Sequence, residues 1–217
     1  MSELYKVTVS SSTGSYDVRI GSNFTEQYLS GTQALLLVDQ KVLDLNPSLK
    51  KYRLVSFVAR EENKTLESVA SVIEDLRALG ANRGSHLVAI GGGIIQDIAT
   101  FSASCFMRGI RWTYFPTTLL GMVDSCIGGK SSLNVGAFKN IAGNFYPPEE
   151  IWIDTKFCDS LSDEQRVEGL LEAVKICFAS SEADFRFFLE QTHAIGDQSV
   201  SKGLAGVIAH SLKAKKK

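Results

Sequence analysis

An excess of charge of one sign is missing from this chain. Its 217 residues carry 23 Lys and Arg against 24 Asp and Glu, a net charge of −1. That leaves no basic footprint for nucleic acid. The closing run Lys213-Ala214-Lys215-Lys216-Lys217 reads as a solvated helix end rather than an anion patch. Long apolar runs are missing too. None approaches the roughly 20 residues that cross a bilayer, and Met1–Lys6 has no apolar signal-peptide core. No membrane partner and a cytoplasmic location are therefore expected. Cys105, Cys126, Cys158 and Cys177 are the only cysteines, and no C-x-x-C pair occurs. This excludes a zinc knuckle or a disulfide framework and predicts reduced thiols that serve as packing residues. His86, His193 and His210 lack the H-x-x-x-H spacing of a metal site and read as structural or exposed. No internal repeat and no G-x-G-x-x-G fingerprint is present.

What is present is an ordinary globular composition, 44% hydrophobic and 22% charged, with enough apolar content for a sizeable core. Leu4–Val9 and Tyr16–Ile20, either side of Ser11-Ser12-Thr13-Gly14-Ser15, predict a β-hairpin. Ala34–Val38, Leu54–Ala59, His86–Ile90, Trp112–Phe115 and Ile151–Ile153 predict strands. Thr65 is an N-cap for a helix stopped by Gly80, and Ile94–Phe106 is a second helix. Alternation of this kind predicts an α/β fold, a Rossmann-like, mostly parallel sheet with helices on both faces. After Ser160 the character changes. Ser162-Asp163-Glu164-Gln165 is a capping-box pattern, and Val167, Leu170, Leu171, Val174 and Phe178 mark the apolar face of its helix. Ala183–Gln191 and Val200–Lys217 also read as helices. The expected division is residues 1–160 as the sheet domain and 161–217 as the first helices of an all-α second domain, cut short.

Chemistry concentrates between residues 91 and 140. Gly91-Gly92-Gly93 follows an apolar strand and opens a helix, where glycines let a pyrophosphate approach free N–H groups. The glycines alone leave open a tight turn with Asp97 as a surface or capping residue. Asp39 ends a strand, where a carboxylate can meet a ribose hydroxyl. Glu61 and Lys64, taken alone, read as solvated loop charges. Arg108 can fork onto a phosphate or simply satisfy a helix C-terminus. Thr117 and Thr118 sit at a strand end. Asp124 and Lys130 flank Gly128-Gly129, and Lys139-Asn140 follow Gly136. The small and polar stretch Ser125 to Asn134 reads as a long functional loop. Glu172 and Lys175, one helical turn apart, form either a surface ion pair or a metal-and-substrate pair.

In their order GGGIIQD, FMRG, PTTLLGMVDSCIGGK, FKN and GLLEAVK, these motifs resemble the 3-dehydroquinate synthase family of sugar-phosphate cyclases, from about Asp39 to Lys217. The resemblance implies a dinucleotide-binding domain and a helical domain, with NAD and a divalent metal, zinc or cobalt, between them. It implies conversion of 3-deoxy-D-arabino-heptulosonate 7-phosphate to 3-dehydroquinate, a small sugar-phosphate substrate, and a homodimer. Carried over residue by residue, it implies NAD contacts at Asp39, Glu61, Lys64, Gly92, Gly93, Asp97, Thr117, Thr118, Lys139, Phe157 and Ser160. Substrate contacts are implied at Arg108, Asp124, Lys130, Asn140, Lys175 and Lys215, and a metal ligand at Glu172. Gln96 stands where the family commonly has glycine, while Ser131-Ser132 and Asn144–Pro148 also depart from its pattern. The two histidines that complete the family's metal site have no counterpart here. The chain alone is therefore expected to be inactive or nearly so, to expose apolar surface, and to associate.

Overall fold

The computed structural model describes residues 2–11, 14–194 and 200–216. The strands are β1 (Ser2–Ser11), β2 (Gly14–Ser22), β3 (Leu35–Asp39), β4 (Leu54–Phe57), β5 (His86–Gly91), β6 (Arg111–Pro116), β7 (Leu133–Val135), β8 (Phe138–Ala142) and β9 (Glu150–Asp154). Seven of them form one sheet in the order β1-β2-β9-β6-β5-β3-β4. The β1–β2 hairpin is antiparallel, and every other pair in that sheet is parallel. Leu35 to Val38 and Leu87 to Ile90 are buried on both pleat faces, as continuous apolar runs in a parallel sheet must be.

The pleat sorts these side chains into two cores. Leu35, Leu37, Leu87, Ala89, Trp112, Tyr114, Ile151 and Ile153 face one side, which α3 (Leu66–Ala78) and α4 (Gly93–Cys105) cover. Leu36, Val38, Val88, Ile90 and Phe115 face the other, against Leu29 and Val42, which belong to α1 (Thr25–Ser30) and α2 (Gln40–Leu45). Thr65 caps α3 as expected, its Oγ1 accepting from Ser68 N at 3.2 Å. From β3 the chain passes outward to β4 and then returns through α3 to β5 on the opposite side. The crevice above the C-terminal ends of β3 and β5 is thus the switch point where such sheets bind ligands.

Two expectations need correction here. The stretch from Ser125 to Asn134 is irregular as expected over 126–132, but its two ends belong to regular elements. A single π-turn (Gly121–Ser125) enters it, and β7 leaves it into a separate antiparallel ribbon with β8. The helix α5 (Asp163–Ser180) has the predicted capping box, and Leu170 and Val174 of the expected face pack against the core, but the centre of its docking face is shifted. Gly169, Ala173 and Cys177 are buried, whereas Val167, Leu171 and Phe178 are 53%, 61% and 72% exposed. Close approach explains the choice, since a Cβ on Gly169 would stand 2.5 Å from Leu119 Cγ. Small residues let the helix backbone descend where the bulky stripe cannot. Gly169→Val is accordingly expected to destabilise the chain by about 2–3 kcal/mol through overpacking, read from the urea midpoint. An unchanged midpoint would show that α5 docks otherwise. Behind α5 lie α6 (Glu182–Ala194) and α7 (Val200–Lys215), and α7 packs on β1, β2 and the π-turn. The residues of α5 and α7 belong to the same continuous core as the sheet. Cys126, Cys158 and Cys177 pack in it, but Cys105 is exposed.

Candidate functional site

The turn at the end of β5 is glycine for steric reasons that the structure makes explicit. A Cβ on Gly91 would lie 2.3 Å from Ile95 Cγ1, because the first turn of α4 folds back over the strand end. At Gly92, the N-cap of α4, a Cβ would reach 3.0 Å from Thr118 Cγ2. Tyr114 Oη and Thr117 N both donate to Gly91 O, at 3.1 and 3.0 Å, and fix the turn to β6. No side chain caps the start of α4, and such a helix N-terminus favours an anion. Gln96 is buried in its first turn. Its Nε2 donates to Ser125 O at 2.7 Å and its Oε1 accepts from Ser125 Oγ at 3.1 Å. The residue that departs from the family pattern therefore fastens the cradle to the π-turn.

Beside the cradle, Lys64 is the most informative side chain. Read alone as a solvated charge, it is only 7% exposed. Its Nζ lies 3.4 Å from Asp97 Oδ2 and 3.5 Å from Glu61 Oε1, and donates to Asn140 Oδ1 at 2.8 Å. Asp97 also accepts from Ser132 N at 3.0 Å. Burial pushes its carboxyl up to about 6, against the pull of Lys64 and, more weakly, Lys130. Glu61 is held below the usual range, chiefly by the Asn134 amide, with smaller help from Lys64 and Lys139. Because the folded Asp97 value exceeds the unfolded one, this group stabilises the fold most below about pH 4 and loses that contribution as pH rises through 6. Asp97→Asn is expected to flatten the stability profile between pH 4 and 7, by on the order of 2 kcal/mol. Urea titration across that range checks it, and an undiminished slope would contradict it.

Asp39, Thr117, Thr118, Phe157 and Ser160 line one small cavity of about 50 Å³ at the same end of the sheet. Asp39 Oδ1 caps α2 through Lys41 N at 3.1 Å, and burial raises its carboxyl. A larger cavity of about 470 Å³ adjoins it, sharing Leu45, Asn46, Phe157 and Ser160. Size does not mark the chemistry here, for neither the glycine turn nor Lys64 lines the larger space.

A second cluster joins the helices to the π-turn. Lys215 Nζ lies 2.7 Å from both Asp124 Oδ1 and Asp124 O. Lys175 pairs with Glu172 at 2.6 Å, which raises its ammonium, and it also feels Asp124. Asp124 lies in the π-turn, an irregularity often found at functional sites. Lys130 and Lys139 are exposed. Arg108 is not brought to either cluster. It follows α4, which runs from the C-terminal end of β5 to the N-terminal end of β6, about 20 Å away along the helix. Among the described residues no three His, Cys, Asp or Glu side chains gather as a metal group. Glu172 alone does not fit a zinc or cobalt site. His86 Nε2 instead contacts Thr113 Oγ1 at 2.9 Å, His210 stacks on Phe187 at 4.1 Å, and His193 is exposed. No described helix is long and apolar enough to cross a membrane.

Comparison with known proteins agrees with this layout. The family described as 3-dehydroquinate synthase N-terminal matches residues 54–168. The chain is 33% identical over 219 residues to a 3-dehydroquinate synthase of Xanthomonas oryzae pv. oryzae, covering 95% of this chain and 57% of that protein. It is 32% identical over 202 residues to the 3-dehydroquinate synthase of Clostridium tetani, covering 86% and 54%. It thus spans little more than half the length of these curated relatives. Among solved structures it resembles 2-deoxy-scyllo-inosose synthase complexed with carbaglucose-6-phosphate, NAD+ and Co2+, with a TM-score of 0.83 and 26% identity over 98% of this chain and 62% of that one. It also resembles the 2-epi-5-epi-valiolone synthase of Streptomyces hygroscopicus subsp. jinggangensis with NAD+ and Zn2+ bound, at 0.78 and 25% over 97% and 62%. An iron-containing alcohol dehydrogenase of Corynebacterium glutamicum, at 0.68 and 15% over 92% and 61%, shares the fold alone. With the family model matched over more than half of its length and relatives above 30% identity covering most of it, this chain belongs to the 3-dehydroquinate synthase family.

Proposed function

We propose that this chain forms the NAD-binding side, and one face of the substrate cleft, of a cyclase that converts 3-deoxy-D-arabino-heptulosonate 7-phosphate to 3-dehydroquinate with loss of phosphate. The observation that carries the reading is the buried Lys64, whose ammonium meets the largely buried Asp97 and the more exposed Glu61 and Asn140 beside the glycine turn. A buried ammonium with two carboxylates is a costly arrangement for a fold that does not use it. Bound NAD would accept hydride from the C5 carbon of the substrate as its hydroxyl becomes a ketone, and would return that hydride later in the turnover. In this reading Gly92, Gly93, Thr117 and Thr118 hold the pyrophosphate, Asp39 a ribose, and Phe157 and Ser160 the adenine end. Glu61, Lys64, Asp97 and Lys139 hold the nicotinamide end. Asp124, Lys130, Asn140, Lys175 and Lys215 orient the sugar phosphate, the lysines neutralising its phosphate and carboxylate. Residues 161–217 are the start of the helical unit that closes the cleft. No step is assigned to a metal, and Arg108 stands outside this set. A sibling cyclase acting on another sugar phosphate is the second reading, supported by Ser131-Ser132 and by the likeness to 2-deoxy-scyllo-inosose synthase.

Calorimetric titration of the chain with NAD+ tests this. Saturable binding at one site is expected, with little or no phosphate released from the heptulosonate phosphate by this chain alone. No heat at millimolar NAD+ would sink the proposal. Net NADH accumulation with a simple polyol would favour a dehydrogenase instead.

A further inference from the structure

Asn134 has no part in the reading above, yet its contacts bind that site together. Its backbone N–H donates to Lys64 O at 2.8 Å, and it forms a parallel bridge with Thr65. Its side-chain Nδ2 donates to Glu61 O and Glu61 Oε1, both at 3.0 Å. Its Oδ1 accepts from Asn140 N at 2.9 Å. Since Nδ2 faces two acceptors and Oδ1 faces a donor, only one orientation of the amide satisfies all three.

Asn140 has a φ of +57°, a left-handed conformation that asparagine tolerates better than other side-chain-bearing residues. The Asn134 contact is made on its N–H. Asn140 Oδ1 in turn receives Lys64 Nζ, and Lys64 Nζ meets Glu61. Glu61, Asn134, Asn140 and Lys64 therefore close a ring, drawn from segments 73 positions apart. Every member except Asn134 is a proposed ligand group. An amide suits the position because one short side chain must both donate and accept. Aspartate cannot donate, and alanine does neither.

We infer that Asn134 is the positioning residue of this site, holding the Lys139–Asn140 hairpin on the Glu61–Lys64 turn so that the dinucleotide and sugar-phosphate groups are set relative to each other. The inference rests on the proposed cyclase reading. Its test combines amide hydrogen exchange at Asn140, NAD+ affinity and melting temperature on the 217-residue chain. Asn134→Ala is expected to speed exchange at Asn140 by about tenfold and to weaken NAD+ binding by about tenfold. Asn134→Asp keeps the acceptor for Asn140 but turns a carboxylate towards Glu61. It should keep Asn140 protected and still weaken NAD+ binding by about tenfold. A merely structural role would lower the melting temperature without this split. Unchanged exchange at Asn140 in Asn134→Ala, or unchanged affinity in either folded variant, would overturn the inference. A native chain that binds no NAD+ sinks the cyclase reading itself, and the clasp then stands or falls on exchange at Asn140.

Discussion

Asp154→Ala is expected to remove about 3–5 kcal/mol of stability, a large share of the roughly 5–15 kcal/mol that holds a typical domain together. Asp154 ends β9 and is only 3% exposed. Its Oδ1 accepts from Asn23 N at 2.9 Å and Lys156 N at 3.2 Å. Its Oδ2 accepts from Phe24 N, Thr25 N and Thr25 Oγ1 at 2.8, 3.1 and 3.0 Å. One carboxylate thus satisfies the start of α1, the turn after β2 and the turn after β9. Alanine leaves Phe24 N buried without an acceptor and removes the acceptor of the part-buried donors on Asn23, Thr25 and Lys156, and a buried loss of this kind costs about 1–3 kcal/mol. Asp154→Asn keeps one oxygen but turns an amide N–H2 group towards donors, so it should lose an intermediate amount. Chemical denaturation monitored by circular dichroism decides it. A stability within about 1 kcal/mol of the native chain for Asp154→Ala would show that these contacts do not hold the hairpin to the sheet.

Lys64→Met should produce the largest pH-dependent effect. Methionine fills most of the lysine's volume but leaves Asp97 buried without its ammonium. The Asp97 carboxyl, already pushed up to about 6 by burial and held there partly by Lys64, must then rise further. Its folded value exceeds the unfolded one by more than before, so the variant loses stability over a wider range as pH rises. Near pH 5 the carboxyl takes a proton and the loss is small. At pH 8 the charge stays buried and unpaired, with an expected cost of about 3 kcal/mol. Carbon NMR of the Asp97 carboxyl reads the titration directly, and unfolding at the two pH values reads its cost. Equal losses at pH 5 and pH 8 would mean that Lys64 and Asp97 do not share a buried site. NAD+ affinity should fall in the same variant, because the proposed contacts of Glu61, Asp97 and Asn140 all converge on this ammonium.

Much of this was legible along the chain, and the reason is local. Short continuous apolar runs at residues 35–38 and 87–90, closed by Asp39 and Gly91, read as strands buried on both faces. The Thr65 cap and the capping box at Ser162 are short-range hydrogen-bond patterns. The glycine turn stood out because it joins such a strand to such a helix. What was misread depended on distant partners. Lys64 looked like a solvated charge because Asp97 and Asn140 lie far from it in sequence. The face of α5 was assigned to its bulkiest residues, whereas Leu119 requires the approach of Gly169. Asp154 and Asn134 carried no signal at all, since a lone Asp at a strand end and a lone Asn in a loop are common.

By itself, then, the sequence determined the alternation of strands and helices, the parallel sheet and the position of the anion-favouring turn. Those follow from periodicity, caps and backbone sterics within a few residues. Only the tertiary structure decided which charges are buried together, which face of α5 descends onto the core and which amide ties residues 61–65 to 133–140. It also decided that Arg108 lies at the other end of α4 from the cradle. Burial and pairing of charge are properties of segments that meet in space, and the desolvation that raises Asp97 arises only once they do.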